Sequence, residues 1–224
     1  ESIISDASNF AFINFGENFN LIKYKLDEMK WFEECGPLLQ KEDTHQASES
    51  NVTLTSLKAL IEKGMHLLLP SMEIRNAVIQ LNQILEDANN WLETAKYILS
   101  LCKPGESENG QGDHVKRSLK TFQDLIKERD TSFNLKCINL NPFYQQIVDI
   151  TEEARKWNEK AESVLTTIRY KAGQSDENIP TVQVIEDLIQ KGNSIGCQLE
   201  NMSHLNSTLT TVNSWKDKLS KAFV

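Results

Sequence analysis

Apolar positions along this chain recur in one helical stripe. Between Leu81 and Ile98 they stand at Leu81, Ile84, Ala88, Trp91, Ala95 and Ile98, in steps of three and four. Such steps place side chains on one face of a helix of 3.6 residues per turn. The same spacing surrounds every other tryptophan. Around Trp157 the slots hold Ile147, Ile150, Ala154, Ala161 and Val164. Around Trp215 they hold Leu205, Thr208, Val212, Leu219 and Ala222, and around Trp31 they hold Leu21, Tyr24, Glu28, Cys35 and Leu38. Tryptophans aside, 18 of 20 slots are apolar where a 39% apolar composition would fill about 8, so the chain is a helical repeat.

Punctuation between the stripes divides the chain into units. A first, partial or capping unit covers residues 1–50: a weakly patterned lead-in with Phe10, Phe12, Phe15 and Phe19, then a helix from about Leu21 to Cys35 that Gly36-Pro37 should stop. Glu28 breaks the stripe there, as a terminal repeat can. The second unit, 51–112, has a short helix Thr53–Lys63 capped by Gly64, then a long one from Pro70 to about Leu101. The third, 113–179, pairs a helix from Asp113 to about Arg129 with one that Asn141-Pro142 opens and that runs through Trp157 to about Tyr170. The fourth, 180–224, pairs a short helix from Pro180 to Gly192 with one from about Gln198 to Phe223. Polar linkers lie at 40–51, 103–112 and 171–179.

The expected fold is all-α: an elongated array of helical hairpins, each a short helix, a loop and a long Trp-bearing helix, with coiled-coil-like or spectrin-like packing. A long helix of about 30 residues spans roughly 45 Å and a short one of about 12 roughly 18 Å. One short partner cannot cover a long stripe, so neighbouring units must supply the rest. Small or aliphatic residues flank the tryptophans, Glu28 before Trp31 excepted, so each indole reads as a core plug between helices, not as part of an aromatic cage.

Composition narrows the function. A net charge of −8 argues against a nucleic-acid or anionic-membrane surface, which wants a basic face. No apolar run approaches the roughly 20 residues of a membrane span. The start, ESIISDASNF, has neither the basic nor the apolar region of a signal peptide, and without Met it reads as a fragment of a longer chain.

Candidate chemistry is thin. Cys35, Cys102, Cys137 and Cys197 are far apart and lack metal-ligand spacing, so they read as reduced thiols. His45, His66, His114 and His204 stand near no other His or Cys. Carboxylate pairs such as Asp27-Glu28 and Glu152-Glu153 read as solvated helix faces, and the basic cluster His114–Lys120 as the polar side of a helix around Leu119. No phosphate-loop, dinucleotide, zinc-hydrolase or serine-elbow motif occurs. The residues supply no catalytic, cofactor-binding or metal site, and no cofactor is expected.

Three segments carry a resemblance: Leu85–Ala95 (LEDANNWLETA), Thr151–Ala161 (TEEARKWNEKA) and the closing Leu199–Val224. Together with the short leader helices they resemble the helical PLU-type region of the JARID-type histone demethylases, the large Jumonji enzymes acting on lysine four of histone three. The likeness covers about residues 50–224, and an Asn- and Lys-rich texture is similar to fungal members. In that family this region lies outside the Jumonji core, whose iron and 2-oxoglutarate ligands nothing here matches. The resemblance implies a nuclear, non-enzymatic scaffold that spaces catalytic or histone-reading modules and binds protein subunits of a chromatin-modifying complex, with no nucleic acid, membrane or small-molecule substrate. The alternative is a spectrin-like or tethering-complex rod. Spectrin repeats run a little over 100 residues in three helices, whereas Trp-to-Trp distances here are 60, 66 and 58.

Overall fold

A computed structural model describes residues 16–39, 52–68, 70–102, 117–171 and 180–222. Among them every regular element is a helix: α1 Gly16–Leu39, α2 Leu54–Met65, α3 Met72–Ser100, α4 Leu119–Thr131, α5 Phe133–Lys136, α6 Phe143–Lys171, α7 Val182–Ser194 and α8 Met202–Ala222. The alternation of short and long helices expected from the stripe is present.

Several boundaries shift for physical reasons. Gly36-Pro37 does not end α1, which runs on to Leu39. Pro37 costs one ladder bond in the last turn, while Leu38, only 3% exposed, holds that turn against the core. α2 starts with a complete capping box: Thr53 accepts from the Ser56 N–H, and the Ser56 hydroxyl accepts from the Thr53 N–H at 2.9 Å. Its end is capped by His66, and Gly64 sits inside the helix, buried. Gly192 likewise lies inside α7. Between α4 and α6 lies the single turn α5, whose Leu135, with Ile138 beyond it, is buried. The proposed cap Asp113, the linkers 40–51 and 103–112, and most of 171–179 lie outside the described residues, and α4 begins at Leu119.

The chain divides into two compact units, Glu1–Leu92 with Arg129–Leu140, and Glu93–Glu128 with Asn141–Val224. In the first, α1 packs on α2, and its core gathers Trp31, Cys35, Leu57, Ile61, Leu81, Ala88 and Trp91. The returning segment is tied in by Asn139 N–H donating to the Val52 carbonyl at 2.8 Å and by the Asn134 amide donating to Asp87 at 2.6 Å. In the second, α6, α7 and α8 pack on one another around Ile147, Ala154, Trp157, Ala161, Ile185, Leu188 and Leu205.

The stripe is buried most completely around Trp91, where all five flanking slots are in the core. It is uncovered at its two ends. Leu21 is 60% exposed, and Trp215 and Leu219 are 61% and 54% exposed. The expectation that all four indoles are core plugs therefore holds for Trp31, Trp91 and Trp157 and fails for Trp215. Its helix has no buried residue after Leu205.

Candidate protein-interaction surface

Trp31 and Trp157 occupy sockets of the same construction. The Trp31 indole N–H donates to the Leu60 carbonyl at 2.8 Å, and the Trp157 indole N–H donates to the Leu188 carbonyl at 2.8 Å. In each case the acceptor lies four residues before a buried glycine, in the matching strings Leu60-Ile61-Glu62-Lys63-Gly64 and Leu188-Ile189-Gln190-Lys191-Gly192. A carbonyl at position i and the residue at i+4 stack on one helix face. With no Cβ at the glycine, the indole can come close against that face and reach the carbonyl.

The fit is close. A Cβ at Gly64 would come within 2.6 Å of Trp31 Cζ2 and 2.9 Å of Val78 Cγ2. One at Gly192 would lie 2.7 Å from Trp157 Cζ2 and would also strike the Met202 methyl. The glycines are there for close approach and not for a left-handed backbone. Each socket joins a long helix to the short helix that follows it across a linker. The middle copy differs in sequence: the corresponding string, Leu125-Ile126-Lys127-Glu128-Arg129, puts Arg129 where the others have glycine.

Glu28, which breaks the stripe, has a defined task. It is 5% exposed, and its Oε1 accepts from the Ser71 backbone N–H at 2.9 Å, just ahead of α3. Oε2 accepts from Lys25 at 2.7 Å. A carboxylate at a helix N-terminus satisfies an otherwise orphan donor and complements the helix dipole. The Lys25 hydrogen bond, aided by the Ser71 N–H and opposed by burial, holds the Glu28 carboxyl below its ordinary value.

Other residues singled out by their chemistry do not converge. Cys35 and Cys197 are buried and Cys102 and Cys137 half-buried. Burial pushes the Cys35 thiol up to about 11 and the Cys137 thiol up as well, opposite to what activates a nucleophile. His66 and His204 are exposed, and His45 and His114 lie outside the described residues. Among the described residues no cluster of His, Cys, Asp or Glu comes together to hold a metal ion. Glu152 and Arg155 form an exposed network with Glu159 and Lys156 on α6. Hydrogen bonds from Arg155 and then Lys156 hold Glu152 at about 2. Of the basic cluster, the described part places Arg117 against Tyr97, 5.8 Å from its ring centroid, and leaves Lys120 exposed.

A shallow groove of about 730 Å³ lies in the second unit, between the start of α4, the end of α7 and the start of α8. Leu119, Leu199 and Met202 form its apolar floor, and Lys120, Gln198 and Glu200 its polar edges. Gln198 N–H donates to the Arg117 carbonyl at 2.9 Å along its side. Sequence reasoning missed the sockets, the Glu28 cap and the groove. Only the first left a readable signal, a Leu-Ile-x-Lys-Gly string whose glycine stands 33 residues after Trp31 and 35 after Trp157.

No described helix is long and apolar enough to cross a membrane. No solved structure matches the chain. It is similar to lysine-specific demethylase 5B of Gallus gallus, 20% identical over 207 residues, which is 91% of this chain and 11% of that relative. The family model described as "PLU-1-like protein" matches residues 2–224. With a helical repeat across its described residues and a match over nearly its whole length, this chain belongs to the PLU-1-like family.

Proposed function

We propose that this chain is a non-catalytic scaffold and protein-interaction region of a JARID-like chromatin regulator in the nucleus, which spaces catalytic or histone-reading modules and binds protein subunits of a chromatin-modifying complex. The observation that carries the reading is the pair of indole sockets. Each ties a long helix to the next short one by a buried ring, a directed hydrogen bond and a glycine contact. Joints of that kind resist bending, which is what a spacer requires. Family membership supports the chromatin context, as does the likeness to a lysine-specific demethylase. The raised thiol pKa values of Cys35 and Cys137, opposite to what activates a nucleophile, support a binding role over an enzymatic one.

Affinity purification of the tagged chain from nuclear extract tests the proposal. Subunits of a histone-modifying complex are expected to co-purify, and to be lost from the Trp157→Ala variant. Recovery of cytoskeletal or vesicle-tethering proteins in their place would favour the rod reading and overturn this one.

A further inference from the structure

The two occupied sockets define what an unoccupied one lacks. Trp215 sits on α8 in the stripe register of Trp31 and Trp157, with Val212 three residues before it and Leu219 four after. Its ring is 61% exposed, Leu219 is 54% exposed, and the Lys218 ammonium stands 5.4 Å from the ring centroid. A large apolar ring on a uniform helical stripe, with neighbours also exposed, is the kind of patch that marks a docking face.

We propose that the C-terminal half of α8 is one half of a further indole socket. Its occupant is a short amphipathic helix of the pattern apolar-x-x-apolar-apolar-x-x-Gly. The Trp215 ring lies over the glycine, and its N–H donates to the carbonyl four residues earlier. The pattern is that of Leu57, Leu60, Ile61 and Gly64 in α2 and of Ile185, Leu188, Ile189 and Gly192 in α7.

Two of the three buried indoles, each with a 2.8 Å hydrogen bond and a Cβ-sized clash awaiting any other residue at its glycine, point to this occupant over a generic apolar helix. They also weigh against a second copy of α8 as the occupant. That helix, Met202–Ala222, contains no glycine, so two α8 faces brought together would hold the rings apart and leave both indole donors without a backbone acceptor. This inference stands on socket geometry alone and does not depend on a role in chromatin.

The test extends the full chain. Appending a second copy of residues 167–194 after Val224 places its glycine 35 residues beyond Trp215, the spacing from Trp157 to Gly192. Iodide quenching of tryptophan fluorescence is the readout, with Trp215→Phe in the unextended chain assigning the quenchable component. The extended chain should lose that component and shift its emission to the blue. The same extension carrying Leu for its glycine should retain it. Three outcomes would overturn the proposal: undiminished quenching in the extended chain, equal protection by the Leu-bearing extension, or self-association of the unextended chain that shields Trp215 at sedimentation concentrations.

Discussion

At the scale of single residues, the two socket glycines set opposing effects against each other. Alanine is the better helix former by about 1 kcal/mol, so Gly64→Ala and Gly192→Ala would stabilise an isolated helix. In the folded chain the added Cβ meets an indole edge at 2.6–2.8 Å. Overpacking a close-fitting core costs about 1–3 kcal/mol. The clash should win, and both variants should be less stable in urea titrations. An unchanged or raised midpoint would mean that the rings can slide away and that the fit is loose.

Glu28 gives a pH-dependent counterpart. Its folded pKa lies below the ordinary 4.5, so its contribution is fully present above that value. It is lost as acidification passes through the depressed folded value, where the unfolded chain binds the proton more readily than the folded one. Glu28→Gln keeps the shape but forfeits the charged contact to Lys25 and the Ser71 N–H. The variant should be less stable at neutral pH, and the gap should close in acid. A constant gap across that range would refute the assignment.

At the scale of elements, the helices were readable because a stripe of three- and four-residue steps survives without any tertiary information. Ala88, Trp91 and Ala95 sit where the pattern put them, at 0–2% exposure. What the stripe could not carry was whether a partner covers it. Leu205 and Trp215 share one register, yet the first is 0% and the second 61% exposed. A periodic pattern marks a face suited to burial, and only the neighbouring element decides the burial. Gly64 and Gly192 were misread for a related reason. Near a helix end a glycine reads as a stop signal, whereas the indole that requires it lies more than thirty residues earlier in sequence. Glu28 broke the stripe and looked like decay at a chain end, because its partner Ser71 is 43 residues distant.

The same distinction predicts unequal tryptophans. Trp157→Ala removes a ring 2% exposed and should cost about 3–5 kcal/mol, the range for large buried aromatics. Trp215→Ala in the unextended chain should fall within about 0.5 kcal/mol of the parent, as surface substitutions do. Denaturation of the two variants side by side checks this. Equal losses would show that α8 is covered by something the described residues do not include.

For the molecule as a whole, a repeat array has stability that is approximately a sum of local terms and nearest-neighbour contacts. Damage in such a chain stays near its source. Trp31 and Leu60 belong to the first compact unit, and Trp157 and Leu188 to the second. Trp31→Ala should therefore raise amide hydrogen exchange in α1 and α2, with protection in α6 and α7 largely kept, and Trp157→Ala should do the reverse. Exchange followed by peptide mass spectrometry reads both variants at once. A single compact core would respond differently, because the loss of either ring would lower protection everywhere by a similar amount. Uniform loss from either variant would mean that the units fold as one cooperative body. The sockets would then be ordinary core contacts, not separable joints, and the spacer reading would lose the property that recommends it.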